Sequence, residues 1–318
     1  MIEKNKWVDV EREDMRRNMV LGIIAISCVA IGVGLSIGHF AIKNIFFARR
    51  KTEEEAFNEL EHRKVYKRSD YEALSKEEIT ITSQEGYKLQ GEYITFHPDA
   101  KKVVLLIHGY TGNHLMSLQV AQIYGDYGYN ILAIDARSHG KSEGIYPTYG
   151  LCEVEDARLW INKLREIEGE TVRIGLHGQS MGAATALMYA GRYKDIAFVV
   201  ADCPYTRAME VLQYQFKTFA HLPAKLTYKI INFWIKYRYR LNLDEANPFD
   251  EIIHYNGPVA FIHGKEDVTI PYTMSERMYK ARNSMQDRLC LIEGAKHVEA
   301  YMYDKVAYQK AIHEIINS

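Results

Sequence analysis

Six short apolar runs, separated by stretches long enough for a helix, most constrain what this chain of 318 residues can become. They are VVLLI (103–107), NILAI (130–134), VRIGLH (172–177), AFVVAD (197–202), VAFIH (259–263) and RLCLI (288–292). Runs that are apolar at nearly every position, rather than at every second one, predict strands buried on both faces, as in a parallel sheet covered by helices. Ahead of them ITIT (79–82) and KLQGEYIT (88–95), turning at Glu85-Gly86, predict an antiparallel edge hairpin. The expectation is an α/β fold over 77–318: a mostly parallel eight-stranded sheet with helices on both faces. Between 205 and 250 the alternation breaks into a segment rich in aromatic and basic residues, among them Tyr214, Phe216, Phe219, Tyr228, Phe233, Trp234, Tyr237 and Tyr239. It is expected to be a small helical cap over the carboxyl edge of the sheet, with part of that aromatic set packing its two helices together and part facing a ligand.

The N-terminal end reads differently. Residues 18–42 carry no Asp, Glu, Lys or Arg over twenty-five positions, which as a helix is roughly 37 Å and long enough to span a bilayer. A secretory signal would have a shorter apolar region followed by a small-residue cleavage site; here the run ends in Lys43, Phe46, Phe47, Arg49, Arg50 and Lys51. An uncleaved single-pass anchor is therefore expected, preceded by a polar flank at 1–17. Basic residues stand on both sides of it, so the charge bias assigns no membrane side to the catalytic portion. Residues 43–76 alternate acidic and basic groups, which predicts a solvated helical stalk between membrane and domain.

Composition narrows the partners. Forty basic against forty-one acidic residues leaves no electrostatic footprint for nucleic acid. The four cysteines, Cys28, Cys152, Cys203 and Cys290, form no CxxC pair, so buried free thiols are expected, with no structural metal and no cofactor.

Chemistry concentrates at the ends of the strands. Directly after 172–177 comes Gly178-Gln179-Ser180-Met181-Gly182, followed by the small-residue helix AATALMYA. A serine on a strand-to-helix turn stands exposed at the sheet edge, and flanking glycines are required where a side chain would strike neighbouring backbone. A serine hydroxyl needs a base, and of the twelve histidines His297 fits, because it follows the last strand in the short loop Gly294-Ala295-Lys296-His297. The base needs a carboxylate to hold its tautomer; Asp267, after VAFIH, is favoured on position, with Asp202 at the end of the preceding strand as the alternative. Donors for a developing oxyanion are expected from the backbone amides of Tyr110, in the loop HGYTGN (108–113), and Met181. His108 and His139 are read as structural, and Asp135 and Arg137 as braces, with Glu155 or Asp156 as partner for the arginine.

With these residues in place the chain resembles the α/β-hydrolase superfamily, in the branch of lysophospholipase-like and serine-aminopeptidase-like hydrolases. The resemblance rests on the HGxxGN loop, the D-x-R-x-H-G-x-S turn at 135–142, GxSMG at 178–182, the aspartate of HGxxDxxxP at Asp267 and the late histidine His297. It implies the α/β-hydrolase fold and a triad of Ser180, Asp267 and His297. Tyr110 and Thr111 stand where HGGG-type lipases have glycines. The expected activity is hydrolysis of a carboxylic ester, a lipid or lysolipid being the substrate a membrane tether suggests. An aminopeptidase or amidase would use the same triad and needs a cap carboxylate such as Glu210, Asp244 or Glu245 for a substrate amine. A membrane scaffold without catalysis is the third reading, and the complete triad argues against it.

Overall fold

The edge hairpin closes where the turn chemistry places it, with the Ser83 amide donating to Tyr87 O at 2.8 Å and Gly86 at a φ of +88°. The computed structural model describes residues 16–23, 27, 32, 36 and 49–317. Its strands are β1 (Lys76–Thr82), β2 (Lys88–Ile94), β3 (Lys102–Ile107), β4 (Asn130–Ile134), β5 (Arg173–Gln179), β6 (Phe198–Asp202), β7 (Val259–Gly264) and β8 (Arg288–Ile292). They make one eight-stranded sheet in the order β1-β2-β4-β3-β5-β6-β7-β8. β2 runs antiparallel to both its neighbours, and β4 to β8 with β3 are parallel.

The longer helices among the described residues are α1 (Glu53–His62), α2 (Glu153–Glu168), α3 (Met181–Tyr193), α4 (Ala208–Thr218), α5 (Ala224–Tyr239), α6 (Thr273–Arg282) and α7 (Lys305–Ile316). The continuous apolar runs divide between the two faces by strand parity. Val103, Leu105 and Ile107 of β3 join Trp160 of α2 and Leu187 of α3 in one core, while Val104 and Leu106 join Leu60 of α1 and Ile312 of α7 in the other. β8 departs from the expectation of burial on both faces. Its first four residues are half-buried because it is the sheet's outer strand, paired on one side only.

The solvated stalk expected at 43–76 is corrected. Thr52 caps α1 with a reciprocal bond to Glu55, and the helix turns Ala56, Phe57 and Leu60 into the core against Leu115 and Met116. Spacing of i, i+1 and i+4 is one helical face, so the charged residues are the solvent side of a docked helix. The Lys51 amide donates to Thr111 O at 2.9 Å, which ties the segment before α1 to the loop after β3. The polar flank at 1–17 and the apolar run at 18–42 lie for the most part outside the described residues. Among the described residues no helix is long and apolar enough to cross a membrane.

The cap is a helical hairpin of α4 and α5 inserted between β6 and β7. Val211, Leu212 and Phe216 of α4 pack on Tyr228, Ile231 and Ile235 of α5, and the pair sits on Ala184 of α3.

Candidate active site

Ser180 occupies the turn between β5 and α3 with φ +55° and ψ −114°, a conformation that a side-chain-bearing residue adopts only when its surroundings impose it. The surroundings here are backbone. A Cβ on Gly182 would lie 2.1 Å from Ile107 O, and one on Gly178 would lie 2.2 Å from Gly182 O. The two glycines thus let the elbow press against β3, and the Ser180 amide donates to Asp202 O at 2.8 Å.

His297 brings Nε2 to 2.9 Å from Ser180 Oγ and Nδ1 to 2.6 Å from Asp267 Oδ2. Asp267, buried behind the histidine, accepts from the amides of Thr269 (2.8 Å) and Ile270 (2.9 Å) on its other oxygen. Burial opposes its charge, but hydrogen bonds from His263 and His297 and the Ile270 amide outweigh that and hold the carboxyl well below the usual carboxylate range. It is ionised whenever the histidine needs it.

His263 was not singled out by the sequence pattern. Its Nε2 lies 2.9 Å from Ile270 O and 3.2 Å from Asp267 Oδ2, and its Nδ1 lies 2.7 Å from Ser275 Oγ. A carbonyl can only accept, so Nε2 carries the proton and the Ser275 hydroxyl donates to Nδ1. Asp267 Oδ2 is consequently fixed from two sides by two imidazoles.

The alternative acid, Asp202, is not hydrogen-bonded to His297, whose two ring nitrogens meet Asp267 and Ser180. Its Oδ2 accepts from Tyr308 at 3.0 Å, and burial raises its carboxyl to about 6. Glu266 is exposed. His108 donates from Nδ1 to Gly109 O (2.7 Å) and accepts the Ala136 amide (3.0 Å) at Nε2. His139 accepts the Thr111 amide at 3.1 Å and contacts Arg137 O, and burial lowers it to about 3. Both are braces, and Arg137 forks onto Asp156 with two 2.7 Å bonds rather than onto Glu155. Asp135 accepts from the His114 ring at 2.9 Å and from the Lys141 amide at 2.8 Å.

Ser180 opens into a cavity of about 390 Å³. Tyr110 and Met181 line it beside the serine, with Met181 opening α3, where helix geometry leaves amides aimed at the serine end. The cap contributes Tyr205, Val211 and Gln215, and the expectation that part of its aromatic set faces a ligand is corrected: none of the eight lines the wall, because Phe216 and Tyr228 pack the two helices together while Phe219, Phe233 and Tyr237 are exposed. Lys51, Glu59 and Arg63, from α1 and its flanks, complete the wall. Glu59 bridges both cations, at 3.1 Å from Lys51 Nζ and 2.7 Å from an Arg63 nitrogen. The signal that would have found this wall is the Thr52-x-x-Glu55 capping box followed by the apolar face at 56, 57 and 60.

Cys152, Cys203 and Cys290 are free, and Cys203 alone of them is fully buried; Cys28 lies outside the described residues. Cys203 lies close enough to Asp267 and His297 for their ligand atoms to fall within 4.8 Å of one another. Burial pushes its thiol up, away from the thiolate a metal would require, and the other two members are already bonded to each other.

A nucleophile elbow at the carboxyl edge of a parallel sheet, beneath a helical cap, is the architecture of a hydrolase. A family profile described as serine aminopeptidase, S33 matches residues 98–247. An uncharacterized protein of Bacillus subtilis, YqkD, is 31% identical over 304 residues, covering 95% of this chain and 98% of its own. Human alpha/beta hydrolase domain-containing protein 17B is 26% identical, covering 74% of this chain and 76% of its own length. Among solved structures, the Pyrococcus furiosus esterase Pf2001 superposes with a TM-score of 0.62 at 26% identity, over 79% of this chain and 95% of its own. The chain belongs to the α/β-hydrolase superfamily.

Proposed function

We propose that this chain is a serine hydrolase, anchored to a membrane through residues 18–42, that cleaves a carboxylic ester through an acyl-Ser180 intermediate. The observation that carries the reading is the unbroken chain Ser180 Oγ, His297 and Asp267, at 2.9 and 2.6 Å. Ser180 Oγ attacks the ester carbonyl while its proton passes to His297 Nε2, and ionised Asp267 stabilises the imidazolium. The amides of Tyr110 and Met181 receive the oxyanion. On collapse, the ester C–O bond breaks and His297 returns its proton to the departing alcohol. Water, deprotonated by the same nitrogen, then releases the acid and restores the serine hydroxyl.

Ester is favoured over aminopeptidase chemistry by the carboxylates. Holding a substrate ammonium requires an acidic group free to pair with it. The carboxylate on the cavity wall is Glu59, already bridged by Lys51 and Arg63. Of the cap acids, Glu210 is taken by Arg277 and Asp244 by Tyr228 and Asn232, and neither they nor Glu245 line the cavity. Met116, Val211, Ile270 and Val298 offer an apolar lining suited to an acyl chain, and a lipid or lysolipid ester reached from the bilayer fits the anchor.

The test is hydrolysis of p-nitrophenyl esters of graded chain length by the full-length protein in detergent, beside Ser180→Ala, with fluorophosphonate labelling of both. Cleavage and labelling that vanish in the variant support the reading. A wild-type protein that labels yet cleaves only aminoacyl amides overturns the ester assignment, and one that neither labels nor cleaves overturns the enzyme.

A further inference from the structure

The outer surface of the cap combines exposed apolar side chains with basic ones. Leu226, Ile230, Phe233 and Tyr237 recur at i, i+4, i+7 and i+11, which places them on one face of α5. This is not the face that packs on the domain, which is formed by Thr227, Tyr228, Ile231, Asn232 and Ile235. Leu226, Phe233 and Tyr237 are 60%, 65% and 66% exposed, and Phe219 on the turn between the helices is 55% exposed. A helix apolar on two opposed faces has an unmet partner on the outer one.

Charge says what that partner is. Residues 211–243 contain six basic residues, Lys217, Lys225, Lys229, Lys236, Arg238 and Arg240, and no acidic one, in a chain whose forty basic and forty-one acidic groups balance as a whole. All six are exposed. Lys225, Lys229 and Lys236 run beside the apolar stripe and, with Phe233 and one carboxylate, Asp244, line a groove of about 540 Å³. Lys236 has Asp244 at 3.5 Å, whereas among the described residues no acidic group within ion-pair distance of Lys217, Lys225 or Lys229 is found.

We propose that this face docks on an anionic lipid surface, the stripe entering the headgroup boundary and the lysines meeting the phosphates. A second copy of the chain fits worse, since two-fold pairing of the stripe would set lysine rows against lysine rows. Position agrees: α4 and Lys51 line the same cavity, and the nine chain steps from Ile42 to Lys51 reach at most about 31 Å. An anchored chain therefore holds the cap near the bilayer. That proximity rests on the anchor of the proposed function, and the docking face itself goes beyond the ester reading.

The experiment uses the full chain carrying Phe233→Cys with an environment-sensitive fluorophore, beside a Val306→Cys chain, whose position is 77% exposed on α7, and the wild type to measure labelling of native cysteines. Each is placed with vesicles of phosphatidylcholine alone or with phosphatidylglycerol, and sedimentation of the vesicles reports anchoring separately. A blue shift at 233 on the anionic vesicles only is expected. It is reversed by high salt, weakened about tenfold or more in apparent affinity by Lys225→Glu/Lys229→Glu, and absent at 306. Identical 233 spectra on both vesicles overturn the proposal, as does a shift that grows with protein concentration without lipid. Failure to sediment with neutral vesicles while the anionic shift persists would instead remove the anchor and leave the docking face.

Discussion

His263 Nε2 stands 3.2 Å from Asp267 Oδ2, the same oxygen that His297 Nδ1 approaches at 2.6 Å. One carboxylate oxygen thus joins an imidazole that faces Ser180 to one that does not. His263→Gln should keep the fold and lower kcat by roughly tenfold to a hundredfold with little change in KM, the scale of one hydrogen bond to a charged group. Steady-state kinetics on a soluble ester checks this, and an equal fall in kcat for Ser275→Ala would trace the effect to the orientation of the ring.

Asp202 ends β6 and Asp267 follows β7, its neighbour in the sheet, and their environments separate them. Asp267→Asn should reduce kcat on the order of 10⁴-fold, as expected when the base is held in the wrong tautomer. Asp202→Asn should stay within about tenfold of wild type, because its carboxylate accepts from Tyr308 and not from His297. Reversal of that order would make Asp202 the acid.

His114 is buried between Asp135, at 2.9 Å, and Glu92, at 3.5 Å. Burial disfavours its charge, but the hydrogen bond to Asp135 and the negative charge of Glu92 beside it outweigh burial and raise it to about 9 from an ordinary 6.5. A group raised in the folded state stabilises fully below its unfolded value and loses that contribution as pH climbs through the folded one. Thermal stability of the full-length protein should therefore fall as pH rises from about 7 to 10, and His114→Asn should flatten that part of the curve. A wild-type melting temperature constant over the window would contradict it.

Leu60 is fully buried on α1, so its truncation reports whether that helix is wall or tether. Leu60→Ala should cost about 2–5 kcal/mol of the docking. It should also lower kcat/KM on a soluble ester, since Lys51, Glu59 and Arg63 leave the cavity with the helix. Limited proteolysis near residue 63 would become faster. A free stalk would show neither change.

Local chemistry made much of this legible. The eight strands, the turn at Glu85-Gly86, the elbow around Ser180 and the order of Ser180, Asp267 and His297 each depend on residues close together in the chain, where backbone sterics and side-chain period act directly. Family resemblance then pointed to the same three residues, and the structure brings them within hydrogen-bonding distance. The described residues leave the span at 18–42 to the sequence argument alone.

What needed the tertiary structure was every choice among faces. A row of charges at 53–64 reads as a solvated helix until Leu115 and Met116 are seen to receive Phe57 and Leu60. A strand end carrying His263 does not say which partners its ring will meet, because these come from the loop and helix that follow. α5 is apolar on opposed sides, so no periodicity could tell which stripe packs and which stays in solvent. The chain by itself determined its strands, its turns and the residue types at the sheet edge, through interactions a few residues long. Only packing decided which side chains wall the cavity, since burial is a property of neighbours that the backbone brings together from afar.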